Sequence, residues 1–353
     1  MGISGNTGSA RQEKAEVMAA ADDISHAELL ACLEQLAATA LDHYDLPASS
    51  GVELINLSEN ATYRVDAKDG RRWALRVHRE GYHSRTAIAS ELAWLMALRR
   101  DGAVITPVPV AGRDGDLIQT VAHPRLAKPR HVVLSRWEDG VEPNEDQHDL
   151  RQPFEVLGET TAHMHLHVRT WKKPAGFERH TWDFDTSLGS RPHWGRWRDG
   201  MGMTPGREKL FGATVALIGE RLERFGKGPE RFDLIHGDMR LANLLIDDGT
   251  TKVIDFDDCG FGWLMYDCAT TVSFFEHKPE VPELLKSWVK GYRKVIDLPA
   301  LDEAEIGTFV MLRRLLLVAW IGSHCETELA QSMGNAYTAG TVPLCATYLK
   351  NFG

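Results

Sequence analysis

The sequence is short of several things that define whole classes of protein. Its 353 residues hold five cysteines, Cys32, Cys259, Cys268, Cys325 and Cys345, odd in number and with no CxxC pair. That excludes a disulfide framework and a thiolate zinc site, so they read as buried, reduced thiols. Positive charge is also scarce, with 40 Lys and Arg against 50 Asp and Glu, for a net charge of -10 and a pI near 5.8. Such a chain has no dense basic patch to neutralise a phosphate backbone, so nucleic acid is not an expected partner, while an acidic surface suits a cationic small molecule. There is no run of about 18 apolar residues to cross a membrane. The start, MGISGNTGSARQEKAEVMAAADD, lacks the apolar stretch of a signal peptide. A cytoplasmic protein with a disordered tail over residues 1–23 is expected, with monomer and homodimer both open.

What is present is the balance of a globular chain, 43% hydrophobic and 25% charged, at a length that allows more than one domain of about 100–200 residues. From Ser25 to Leu46 apolar residues recur at three- and four-residue spacing, predicting a helix capped by Ser25 and Glu28. GVELINLSENATYRVDAKDGRRWALRVHRE then alternates apolar and polar positions around a KDG turn, predicting antiparallel strands. A helical stretch from Ser84 to Gly102 and further strands follow, and beyond about residue 146 the chain reads as helical, interrupted by LIHG, NLLIDD and TKVIDFD. The expected fold class is α+β, with a sheet-rich N-terminal lobe over 24–138 and a larger, mostly helical C-terminal lobe over 139–353. A ligand is expected in the cleft between lobes, where pockets concentrate.

HGDMRLANLLIDDGTTKVIDF, from His236 to Phe256, places Asp238, Asn243 and Asp255 among apolar strand residues. Singly, each reads as a turn, cap or strand-end residue. Together, Asp-x-x-x-x-Asn on a loop and an Asp at the next strand end form the spacing used where a hydroxyl-orienting carboxylate and the metal ligands of a phosphoryl transfer site share one hairpin. Mg2+ takes hard oxygen ligands and retains water, so one amide oxygen and one carboxylate suffice when nucleotide phosphates complete the shell.

HGDMRLANLLIDDGTTKVIDFDDCGFGWLMYDCA resembles the catalytic signature of the aminoglycoside phosphotransferase and choline kinase superfamily, whose fold is protein-kinase-like and two-lobed. SENATYRV resembles its nucleotide-positioning hairpin, WALRVHR its phosphate-pairing strand and ELAWLMAL the helix bearing the partner Glu. LGETTAHMHLH and WVKGYRKVIDLPALDEAEI are similar to the homoserine kinase type II and stress-response Ser/Thr kinase branch. The resemblance spans about residues 25 to 345 and implies an ATP- and Mg2+-dependent kinase.

By that resemblance Asp238 orients the acceptor hydroxyl, Asn243 and Asp255 hold Mg2+, and His236 and Asp267 support the loop. Arg76, where protein kinases carry Lys, pairs with Glu91 and neutralises nucleotide phosphates. Ser58 and Asn60 stand at a turn that lacks any GxGxxG, so polar side chains replace backbone contacts to phosphate. Arg240 is expected to stabilise the transferring group. Asp257 is a further metal or cation ligand, on the argument that an extended chain returns it to the face of Asp255, and Asp258 is weighed beside it. The implied acceptor is a small hydroxyl compound, an amino-alcohol, hydroxy-amino acid or aminoglycoside, because only eleven residues separate Asp255 from Asp267 and leave no activation segment for a docked peptide. A protein Ser/Thr kinase and a pseudokinase scaffold are the alternatives, the latter at odds with an intact triad.

Three features invite less. His163 and His167 have chelating i,i+4 spacing without a third ligand. Trp171, Trp182, Trp194 and Trp197 read as anchors of an irregular segment before they read as an acceptor lid. Arg313 and Arg314 on an apolar helix read by default as snorkelling cations.

Overall fold

The computed structural model describes residues 24–47, 50–57, 60–143, 149–325 and 327–353. The tail expected over 1–23 and the nucleotide-side residue Ser58 lie outside them. The chain divides into two compact units, residues 1–92 with 107–137, and residues 93–106 with 138–353.

In the first unit, helix α1 (His26–Ala40) begins at a capping box. The Ser25 hydroxyl accepts from the Glu28 N–H at 3.3 Å and the Glu28 carboxylate accepts from the Ser25 N–H at 2.9 Å, which satisfies two donors that a helix start otherwise leaves unpaired. There follow β1 (Gly51–Leu57), β2 (Ala61–Asp66), β3 (Arg72–Val77), the first half of α2 (Arg85–Arg100), whose residues from Ala93 on belong to the second unit, β4 (Pro109–Val110), β5 (Ile118–Val121) and β6 (Arg130–Arg136). All pairings are antiparallel, in the order β1-β2-β3-β6-β4, with β5 also on β6. Alternation does its ordinary work here: Tyr63 and Val65 of β2, Leu75 and Val77 of β3 and Val132 and Leu134 of β6 are buried in one core with Leu36 and Ala37 of α1. Arg76, one residue out of phase, lies on the other face. The KDG turn closes at Gly70 with φ 86°, a conformation glycine adopts without strain.

The second unit runs α3 (Arg151–Thr170), β7 (His180–Trp182), α4 (Phe184–Ser187), α5 (Pro205–Phe225), β8 (Phe232–Ile235), β9 (Leu244–Asp247), β10 (Thr250–Val253), β11 (Gly260–Trp263), α6 (Leu264–Thr270), α7 (Val281–Tyr292), α8 (Ala300–Ala304), α9 (Ile306–Ser323) and α10 (Glu328–Phe352), the last kinked at Gly334. α3 and α7 cross at glycines. A Cβ at Gly158 would stand 1.9 Å from the Trp288 carbonyl oxygen and one at Gly291 1.9 Å from that of Glu155, so neither position admits a side chain without parting the helices. The stretch Ala300–Ser323, α8 and α9 together, is long and apolar enough by composition to cross a membrane, but 83% of its most apolar window is buried inside the protein.

Two short strands, β7 and β11, escape the sequence pattern. β11 reads GFGW and is strand only because β7 pairs with it in parallel and β8 antiparallel. Such tertiary pairing overrides weak local propensity. Of the cysteines, Cys32, Cys259, Cys268 and Cys345 are buried and free, whereas Cys325 is exposed, against expectation, just beyond the end of α9.

Candidate active site

β8 ends at Ile235 and delivers His236, Gly237 and Asp238 into a loop clamped from α6. The fully buried Asp267 carboxylate accepts from the backbone N–H groups of His236 at 3.0 Å and Gly237 at 2.7 Å. The Thr270 hydroxyl accepts from Met239 N–H at 2.8 Å and donates to the Asp267 carbonyl. Asp267 is steadied in turn by His165 Nε2 at 3.1 Å, and His165 Nδ1 meets the Tyr292 hydroxyl at 3.0 Å. Gly237 has φ 83°, and a Cβ there would come within 2.5 Å of the Asp258 carbonyl oxygen, so conformation and close approach both demand glycine. His236 packs on Phe256 and sets Nε2 3.2 Å from the Ile254 carbonyl, bracing the loop against the strand that follows β9.

The Asp238 carboxylate that results is surrounded by donors. Oδ1 accepts from Arg313 Nη2 at 2.6 Å, and Oδ2 accepts from Arg240 Nε and Asn243 Nδ2, both at 3.0 Å. Burial alone would push this carboxyl up, but the guanidiniums of Arg240 and Arg313, and then His236, outweigh it and hold it below the ordinary carboxylate value. Arg240 is correspondingly held more firmly protonated by Asp238.

Asn243 closes a 3-10 turn (Leu241–Asn243) immediately before β9. β9 and β10 pair as a hairpin over Asp248 and Gly249, at φ 46° and 76°, the double positive φ that a tight two-residue turn requires. The hairpin returns the chain to its start: Ile254 N–H donates to the Asn243 carbonyl at 2.9 Å, which sets Asp255 beside Asn243. Asp255 has φ 59°, an uncommon conformation that concentrates at functional sites. The Asn243 amide spends its NH2 on Asp238, on the carbonyl at 2.7 Å and on Oδ2, which leaves its oxygen for another partner. Among the described residues no group of three or more His, Cys, Asp or Glu forms a metal cage. Asn243 and Asp255 could offer one amide oxygen and one carboxylate to a hard cation, which takes the rest of its shell from phosphates and water.

Arg76 and Glu91 form a separate group in the first unit. Arg76 Nη1 donates to Glu91 Oε1 at 2.9 Å, with the carboxylate almost wholly buried. Asn60 is buried too, its side-chain oxygen accepting from the Arg79 N–H at 2.9 Å, so it ties the start of β2 to the chain just beyond β3.

Two expectations change here, that for Asp257 and that for Arg313 and Arg314. The chain after Asp255 is not extended: Asp255 is left-handed and Cys259 N–H turns back to the Phe256 carbonyl at 3.0 Å, so no extended strand returns Asp257 to the face of Asp255. Asp257 is buried, and its carbonyl and that of Cys259 accept from the buried Arg179, which backs this turn. Arg313 and Arg314 do not snorkel. They are 2% and 1% exposed, Arg313 on Asp238 and Arg314 on the buried Glu276 at 2.6 Å. His163 is exposed, and His167 sits 3.0 Å from Asp101 rather than in a chelate. Trp182, Trp194 and Trp197 are buried anchors.

The phosphotransferase enzyme family model matches residues 52–304. A solved microcompartment-associated aminopropanol kinase is 46% identical with a TM-score of 0.84, over 90% of this chain and 98% of that one. An amicoumacin kinase of Bacillus subtilis (strain 168) is 25% identical over 298 residues, 80% of this chain and 83% of the relative. An amicoumacin kinase solved with AMP-PNP and Ca2+ shares the fold at a TM-score of 0.73 and 19% identity, over 90% of this chain and 96% of that one. With its α+β, protein-kinase-like architecture, the chain belongs to the phosphotransferase enzyme family and is a kinase with an alcohol group as phosphoryl acceptor.

Proposed function

We propose that the chain transfers the γ-phosphoryl group of ATP, with Mg2+, to the hydroxyl of a small amino-alcohol of the aminopropanol class. The observation that carries this reading is its 46% identity, across nearly the whole length of both chains, to an aminopropanol kinase. The site's chemistry agrees with it. Phosphoryl transfer passes through a loose transition state, so the protein contributes position and charge rather than covalent chemistry. Asp238, ionised and held on both oxygens, aims the acceptor hydroxyl and receives its proton as the new bond forms. Asn243 and Asp255 are the residues that would hold Mg2+, which neutralises charge on the nucleotide phosphates. Arg76, fixed by Glu91, is the cation of the first unit suited to neutralising a phosphate. The short path from Asp255 to Asp267, taken up by a turn, β11 and the start of α6, supports a small acceptor over a docked peptide.

ATP consumption across amino-alcohols, hydroxy-amino acids, sugars, aminoglycosides and a basic protein, with Asp238→Asn as the blank, tests the reading. Turnover confined to short amino-alcohols is the expected result, and phosphorylation of the protein alone would overturn it. Arg240 has a separate prediction. Its side chain is 29% exposed and lies over the Phe274 ring at 5.5 Å, so it can leave Asp238 for the transferring phosphoryl group. Arg240→Ala is expected to lower kcat by about 10²–10³-fold, the usual cost of one preorganised transition-state donor. An unchanged single-turnover rate would remove Arg240 from the chemistry.

A further inference from the structure

Two arginines share the Asp238 carboxylate, and they are built differently. Arg240 makes one hydrogen bond to it from a partly exposed position. Arg313 is buried in α9, and each of its three guanidinium nitrogens has its own partner: Nε donates to Ser273 Oγ at 3.1 Å, Nη1 to the Tyr266 hydroxyl at 3.1 Å and Nη2 to Asp238 Oδ1 at 2.6 Å. The Trp194 and Tyr266 rings lie 5.2 and 5.8 Å from its carbon, within cation–π range. A buried guanidinium needs hydrogen-bond partners, and a different partner for each of its three nitrogens locks the planar fork in one orientation.

We propose that Arg313 is a positioning residue for phosphoryl transfer, the permanent anchor of Asp238 Oδ1 that leaves Oδ2, with Arg240 as its exchangeable partner, to meet the acceptor hydroxyl. This rests on the reading of Asp238 as the group that orients that hydroxyl. The asymmetry follows from the contacts. Turning Arg240 toward phosphate breaks one partly solvated bond, whereas turning Arg313 away would strand a buried cation and the partners on three other segments. When Arg240 moves, Asp238 keeps a cationic partner and does not swing with it. The Trp-rich segment thereby contributes to the site through the Trp194 ring against the guanidinium.

The test compares Arg313→Lys, Arg313→Met, Asp238→Asn and the double variants Arg313→Lys/Asp238→Asn and Arg313→Met/Asp238→Asn, measuring kcat and both KM values with Mg·ATP and the acceptor that the unaltered chain turns over. Lys keeps the charge but not the fork, so Arg313→Lys is expected to lose about tenfold in kcat, and Arg313→Met about 10²-fold, the scale of an ångström-level misplacement, with KM for ATP unchanged. In the Asp238→Asn background neither change lowers kcat further, because Arg313 acts only through that carboxylate. Unaltered kcat in Arg313→Lys, an equal rise in KM for ATP, or additive losses in the double variants would overturn the proposal. Should Arg313→Met fail to fold, Arg313→Lys and its double variant decide. Full turnover by Asp238→Asn would instead sink the reading of Asp238 itself, a separate outcome.

Discussion

Asp238→Asn is expected to lower kcat by about 10²–10⁴-fold, the range that a positioned proton acceptor supplies, while KM for the nucleotide stays near that of the unaltered chain. The substitution keeps size and shape, and the amide oxygen can still accept from Arg313. The amide NH2 then faces Arg240 Nε and Asn243 Nδ2, both donors now 3.0 Å from Oδ2. Three donors cannot satisfy one another, and the misfit is expected to cost about 1–3 kcal/mol of stability besides the rate. Steady-state kinetics beside a denaturant titration separate the two effects. A variant that folds normally and retains most of its kcat would show that Asp238 only fills space.

The largest loss of stability is expected at Asp267. Its carboxylate is wholly buried and takes the His236 and Gly237 N–H groups and His165 Nε2. Asp267→Ala strands those three donors in a dry interior at about 1–3 kcal/mol each, which approaches the whole of a stability of about 5–15 kcal/mol. Asp267→Asn is expected to fall between, since one oxygen remains while the NH2 opposes a donor. The midpoint of chemical denaturation, followed by tryptophan fluorescence, reads this directly. An Asp267→Ala protein that unfolds at the unaltered midpoint would show that the loop is held elsewhere. Activity is expected to fail with the fold, because the same carboxylate sets the backbone on which Asp238 stands.

Much of the site is legible along the chain where its causes are local. A capping box within four residues starts α1, period-two burial marks β2 and β3, and Asp248-Gly249 forces the hairpin that carries Asn243 back to Asp255. Spacing suffices there because turn chemistry and strand pleat translate directly into geometry. The same rule failed one turn later: Asp255 takes a positive φ, and the extended chain assumed for Asp257 does not exist. Spacing holds only while the backbone keeps one conformation.

Residues whose partners are distant could not be read in this way. Arg313 stands 75 residues from Asp238 and His165 102 from Asp267. In the sequence they are a cation on an apolar helix and one histidine of three. Whether such an Arg reaches water or turns inward depends on which carboxylate the fold sets against it, since desolvation forbids burial without a partner and permits it with one. The strand GFGW is a similar case, its glycines giving no periodicity, yet β7 comes close enough to exclude a Cβ at Gly260, and the Ile235 side chain of β8 lies 2.5 Å from where one at Gly262 would stand. Local order in this protein was written in residue spacing. The charge balance at Asp238 came from packing, because it depends on burial, and burial is a property of the assembled fold.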